Sequence, residues 1–259
     1  MTLRGQLAII SIPVIAFMLM PVMVVLGIAF GESANFEFPP SSLSLRWFYS
    51  FMETAGFSDS LFYVSLPLGI ASAAAATAIG TLAAIAAVRF RFVSNRLLEL
   101  LFLTPLIYPQ ILMGVGLFLL YARLNITPSL LTLGGAHVLI GCPYVVRTVI
   151  AGLVGIDPKL EEAARNLGAS PVKAFWLATF PLLRSSILSG AIFAFIVSFS
   201  DINLALFLSI VNTVTLPVQI MSQMRFVSDP TIAAAAALQI VVISALLVIV
   251  NRLIGLVRP

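Results

Sequence analysis

The chain has 259 residues, of which 61% are hydrophobic and only 9% charged. Soluble domains run about 45–50% apolar and about 25% charged. These side chains therefore cannot clothe a water-soluble fold or keep a chain disordered, and a mean hydropathy of +1.12 points to a polytopic membrane protein. The net charge of +4 comes from basic residues at the ends of apolar runs, not from a patch suited to nucleic acid. One cysteine, Cys142, excludes an internal disulfide and a cysteine-based metal cluster. Neither of the two lysines, Lys159 and Lys173, lies in a G-x-x-x-x-G-K-[ST] loop, so any nucleotide would be hydrolysed by another chain. No catalytic residue, metal site or cofactor site is read from the sequence.

A bilayer-spanning helix needs about 20 apolar residues. Six runs qualify: Leu7–Phe30, Leu61–Val88, Leu97–Tyr121, Ser129–Ile150, Leu182–Ile210 and Ile232–Leu256. Lipid offers the backbone no hydrogen-bonding partner, so helices are expected, and the runs are too long and too uniformly apolar for barrel strands. Leu7–Phe30 exceeds a signal-peptide core and reads as a retained span. The acidic segment that follows carries Trp47, Phe48 and Tyr49, which suit an interfacial anchor. The chain thus divides into residues 1–60, a first helix plus an outer segment, and a core of residues 61–252 that includes a loop at 155–181.

The second run is nearly all small residues over Ala71–Ala87, which lets helix backbones approach closely. The third holds Pro105, Pro109 and Gly114-Val-Gly116, which serve either as hinges or as packing adjustments. Glu99 lies near the inner end of that run, within reach of the interface. In the fourth, His137 has no companion ligands and reads as a helix–helix hydrogen bond, while Cys142-Pro143 marks a kink. The fifth contains Asp201, with Ser198 and Asn203 beside it. An ionisable group inside a span is costly and is a functional candidate by default. Asp201 is either a carboxylate tied into the bundle or a residue of a translocation path. With the N-terminus inside, 11 of the 14 Lys and Arg residues fall on the inner side, which fits the positive-inside rule and places both termini in the cytoplasm.

The loop from Gly155 to Pro181 is dense in local signals. Asp157 and Pro158 suit a helix start, and Gly168 suits a left-handed stop. Between them Leu160, Ala163, Ala164 and Leu167 form one apolar stripe at helical spacing. Ser170 and Pro171 open a second helix, in which Val172, Phe175, Trp176 and Thr179 repeat the spacing, and Pro181 is expected to interrupt it before the fifth run. Periodicity alone leaves two readings: a helix pair lying on the membrane, or a knob for a groove in a soluble partner.

The same segment resembles the E-A-A-x3-G-x9-I-x-L-P signature of the permease subunits of binding-protein-dependent ABC importers. Here it reads Glu162-Ala163-Ala164, Gly168, then Ala178-x-Phe180-Pro181, with Ala in place of Ile and Phe in place of Leu. The resemblance covers roughly residues 61–252. It implies an all-α membrane protein of six transmembrane helices in the type I ABC importer permease fold, set in the bacterial inner membrane and without enzymatic activity of its own. It further implies a cytoplasmic coupling helix in which Glu161, Glu162, Ala163, Ala164, Gly168 and Pro181 serve ATPase coupling. The implied partners are two ATPase subunits, a second, distinct permease subunit and a periplasmic substrate-binding protein. Within that group the chain is similar to the spermidine/putrescine type over Glu162–Pro171 and Ser198–Phe207. That similarity implies a polyamine or other organic cation as cargo, with an opine, phosphonate, thiamine or ferric iron as alternatives. The rival of another class is an ion-coupled secondary transporter, whose inverted repeats and midplane helix breaks are not evident in the sequence.

Overall fold

A computed structural model of the chain describes residues 3–54, 56–89, 95–226 and 229–255. The side chains of Arg4, Arg91, Arg96, Glu99 and Arg258 lie outside the described set. The architecture is helical. Helix α1 (Leu3–Ala29) is followed by an extended segment with one isolated bridge, Gly31 to Leu43, and then by α2 (Arg46–Glu53). Next, α3 (Phe57–Asp59), a π-helical turn (Ser60–Ser65) and α4 (Leu66–Arg89) run on as one rod. Helices α5 (Asn95–Ile107) and α6 (Gln110–Arg123) precede α7 (Leu130–Val154) and the short α8 (Lys159–Asn166). A second continuous rod joins α9 (Pro171–Ala174), a π-helical turn (Phe175–Thr179) and α10 (Phe180–Phe199). The chain closes with α11 (Asn203–Leu208), α12 (Leu216–Phe226) and α13 (Thr231–Gly255).

The core is the mutual packing of α4, α7 and α10. Lipid tails are as apolar as the side chains, so helices in a membrane associate through close packing instead of a hydrophobic drive. The small residues of α4 supply that closeness: Ala76 and Ala84 are fully buried, and a Cβ added to Gly80 would stand 2.8 Å from Cβ of Val145 on α7. At Gly141 the α7 backbone sits between Ala76 and Ala194, each methyl 3.3 Å from where a Cβ would lie. One face of the small-residue run therefore packs inside the bundle, while Ala71, Ala74 and Ile79 on its other face stay exposed.

Helix α1 lies outside this core and rests on α13, where Ala233, Ala234 and Ala237 meet Val25, Leu26 and Trp47 of α2. Its other face, including Ile12, Phe17 and Met18, is exposed and suited to lipid. Helix α7 begins at a capping box: Ser129 Oγ accepts from the Thr132 N–H at 3.3 Å, and Thr132 Oγ1 accepts from the Ser129 N–H at 2.8 Å. It then runs unbroken through Pro143.

Two of the six apolar runs differ from the expected straight spans. The third is a bent pair, α5 and α6 meeting at 107° across Tyr108 and Pro109. Pro109 makes the break, whereas Pro105 is absorbed inside α5. Gly114 is a packing glycine, because a Cβ there would stand 2.9 Å from the Asn203 carbonyl of α11, while Gly116 faces open space. The fifth run ends early: α10 stops at Phe199, and Ser200–Ile202 separate it from α11. Among the described residues the shortened fifth run and the four remaining runs form five long apolar helices, six spans in all if the bent pair counts as one.

Gly80→Leu is expected to force α4 away from α7. Overpacking of this kind costs on the order of 1–3 kcal/mol, so the melting temperature of the detergent-purified protein should fall by several degrees. Gly116→Ala, with nothing within 4 Å of the new methyl, should leave it unchanged or raise it slightly.

Candidate functional site

The first candidate site is the loop between α7 and α10. Asp157 Oδ1 accepts from the Lys159 N–H at 2.9 Å and caps α8 from just outside its first turn. At the far end Gly168 has φ of +90°, its N–H donates to the Arg165 carbonyl at 2.9 Å, and the Ala169 N–H reaches the Ala164 carbonyl at 3.1 Å. These two bonds are a Schellman stop, and only glycine takes the left-handed conformation without strain. Ser170 Oγ then accepts from the Lys173 N–H at 3.3 Å, with Pro171 first in α9. The two helix starts and the glycine stop fall where the sequence places them.

Pro181 does not interrupt the second helix. The chain continues from Pro171 through the π-helical turn into α10. A proline in a helix lacks its N–H and crowds the carbonyl four residues back. The wider turn just before Pro181, in which the Phe180 N–H bonds the Phe175 carbonyl five residues back, precedes that crowding. The same device precedes Pro67 in the second run, where the Leu66 N–H bonds the Leu61 carbonyl.

No residue of α8 is buried. Glu162, Ala163 and Gly168 are exposed, Leu167 is 90% exposed, and Glu162, Arg165, Asn166, Ala169, Ser170 and Pro171 line a shallow cleft. Adjacent Glu161 turns the opposite way. It accepts from both terminal nitrogens of Arg89, Nη2 at 2.7 Å to Oε1, and from the Thr179 hydroxyl. Arg89 Nη2 also reaches Thr179 Oγ1 at 3.3 Å, and Thr179 is fully buried. Partial burial pushes the Glu161 carboxyl up. The hydrogen bonds from Arg89 and Thr179, with the charges of Arg89 and Arg165, outweigh that and hold it below the usual carboxylate range. The ion pair is therefore present above that range and persists as pH falls through it, lost only at the lowered value.

The second candidate site is the break after α10. Asp201 is 5% exposed, and its Oδ2 accepts from the N–H groups of Leu204 and Ala205, each at 3.0 Å. It caps α11, satisfying donors that a helix start leaves free. Ser198 Oγ lies 2.7 Å from Nδ1 of His137 on α7, and His137 Nε2 stands 3.7 Å from Asp201 Oδ2. The histidine thus makes the helix–helix bond expected of it, beside a carboxylate that the sequence reading did not connect to it. Gln239 of α13 donates to the Phe199 carbonyl at 3.1 Å, closing the end of α10. Asn203 points elsewhere: it is exposed and donates through Nδ2 to Gln110 Oε1 of α6 at 3.1 Å. Ser198 and Asp201 are therefore brought together, whereas Asn203 sits on a separate, open face with a partner the sequence did not indicate. Two polar groups flanking the two helix breaks, Gln110 and Asn203, were the available signal.

A bundle of apolar helices with a broken third span, a broken fifth span and an exposed, capped helix tethered at its end suits a transport subunit. The chain belongs to the family of the binding-protein-dependent transport system inner membrane component, whose model matches residues 76–256. It is 33% identical over 202 residues to the putrescine transport system permease protein PotI of Escherichia coli K12, covering 75% of this chain and 72% of that one. It is 28% identical over 243 residues to the spermidine/putrescine transport system permease protein PotC of the same organism, covering 93% and 90%. A bacterial ABC transporter that imports the acidic polysaccharide alginate shares the fold, with a TM-score of 0.68 at 14% identity over 97% of this chain and 95% of that one. The chain is a permease subunit of an ABC importer, a non-catalytic, multi-pass component of the inner membrane, and its family implies an ATPase and a binding protein as partners.

Asp201→Leu would leave two buried N–H groups without an acceptor, at about 1–3 kcal/mol each. It should sharply reduce the yield of folded protein and its melting temperature. Asp201→Asn keeps an acceptor oxygen and should retain the fold, as read by size-exclusion chromatography and thermal melting.

Proposed function

We propose that this subunit forms half of the translocation path for a polyamine or similar small organic cation delivered by a periplasmic binding protein. The observation that carries the proposal is the similarity to the putrescine permease PotI and the spermidine/putrescine permease PotC, which spans most of this chain. The open amide pair Gln110–Asn203 is compatible with it. With Nδ2 of Asn203 engaged by Gln110, Oδ1 of Asn203 remains to accept from an ammonium group, which carries three donors and no acceptor. Asp201 and Ser198 act from behind, fixing the break that presents Asn203 to the path.

In this reading residues 61–252 are the transport core and residues 1–60 add a peripheral helix and an outer segment. Both termini face the cytoplasm, on the strength of the Lys and Arg distribution. Helix α8 with Ala163, Ala164 and Gly168 is the docking knob for one of two ATPase subunits, and exposed Glu162 meets basic residues there. ATP binding draws the ATPases together, moves the coupling helices and turns the path outward; the binding protein biases the same equilibrium only through its different affinities for the two states. A second, distinct permease covers the apolar cleft between α4 and α7 lined by Pro67, Leu68, Ala71, Leu131 and Gly135.

The test is uptake of radiolabelled putrescine by cells carrying the complete importer. Gly168→Asp and Glu162→Lys are each expected to abolish uptake and to reduce the ATPase recovered with a tag on this chain. Asn203→Ala should lower uptake with the ATPase retained. Full uptake by the two loop variants with normal ATPase recovery would sink the docking assignment, and wild-type complexes that import no putrescine would sink the substrate. Subunit masses of the purified complex decide the second permease: two copies of this chain would exclude a distinct partner.

A further inference from the structure

Helix α8 poses a mechanical problem. It is eight residues long and buries none of them, so a force applied from outside would roll it instead of moving the bundle. Three groups prevent that. Glu161 holds Arg89 at the end of α4 through both terminal guanidinium nitrogens, and the Thr179 hydroxyl donates to Glu161 while accepting from Arg89. A two-pronged guanidinium–carboxylate pair fixes rotation as well as distance. Among the described residues it is the only pairing of a Lys or Arg with a carboxylate.

We propose that Arg89, Glu161 and Thr179 form a clamp that passes displacement of the coupling helix to α4 and to the base of α10, with Glu161 a positioning residue for energy coupling and not a contact of the ATPase. The proposal rests on the docking role assigned to α8 above. The two ends of the clamp differ in kind. Arg89 terminates α4, which packs along α7 and α10 through the small-residue seam, so a pull there reaches the rigid core. Thr179 closes the π-helical turn, a wider turn of the sort that marks functional or strained positions in helices. The side chains of Arg89 and Glu161 are 28% and 16% exposed, so the pair is partly shielded from the solvent screening that makes most surface ion pairs weak. Adjacent positions on a helix point about 100° apart, which follows from 3.6 residues per turn. Consecutive glutamates thus divide the work: Glu161 faces the bundle and Glu162 faces outward.

The experiment uses the complete importer, purified by a tag on this chain, and reads two quantities: ATPase recovered, and ATP hydrolysis stimulated by the importer's own binding protein. Arg89→Glu and Glu161→Arg are each expected to retain the ATPase and to lose stimulation by about tenfold, and the exchanged pair carrying both substitutions should recover most of it, as coupled positions do. Thr179→Val should fall between wild type and the single variants. If the single variants shed the ATPase, its recovery in the exchanged pair supports the clamp. Wild-type stimulation in either single variant, or an exchanged pair no better than the singles, overturns it. Glu162→Lys separates the two readings: full ATPase recovery and stimulation there would remove the docking role of that face, while the clamp is still decided by the exchange.

Discussion

Everything else in this molecule depends on how closely α4, α7 and α10 approach one another. In water, side-chain burial would hold such helices together almost regardless of their shape. In a bilayer the same burial yields little, because the lipid is equally apolar, and dispersion between well-fitted surfaces must supply the cohesion. The positions without bulk decide the fit: Ala76, Gly80 and Ala84 on α4, Gly141 on α7, Ala194 on α10. The composition that makes the chain look featureless over Ala71–Ala87 is thus the source of its closest helix packing.

The candidate functional elements are attached to this seam at its ends and edges. Arg89 terminates one of its helices and grips the exposed α8. His137 and Ser198, on two of its helices, meet Asp201 just past the seam, and that carboxylate starts α11. The broken helices α6 and α11 then lie against one another, with Gly114 set beneath the Asn203 carbonyl. The packing of the seam is thus kept apart from the elements joined to its ends and edges.

Legibility in the sequence followed the range of the interaction. The caps and the stop of α8 obey local rules, so Asp157, Gly168, Ser170 and Pro171 disclosed the helix pair and its turn. The apolar runs disclosed the spans because lipid demands a minimum length. Between Pro105 and Pro109 the sequence offered no choice, because prolines are tolerated inside membrane helices when their surroundings compensate. The continuity through Pro181 was hidden for a related reason: a π-helical turn has no compositional signature. The partners of Glu161 and His137 were invisible as well. Arg89 lies 72 positions from Glu161, and His137 lies 61 from Ser198, and no periodicity links residues across that distance. The consecutive glutamates looked equivalent because the apolar stripe between the caps stays unburied and does not mark the side that meets the bundle.

The π-helical turns also bear on how this chain tolerates insertion and deletion. Each turn holds about one residue more than an α-helical turn would, so every side chain beyond it is rotated by roughly 100° relative to a uniform helix. Removing one residue from Ser60–Ser65 would be absorbed by local straightening of the turn, whereas removing one from Leu66–Arg89 would swing the alanine and glycine positions off the seam and present bulkier neighbours in their place. Changes of chain length therefore have two very different consequences within a single rod. Alignments of distant relatives that treat the rod as one continuous α-helix will assign its faces wrongly on one side of the turn.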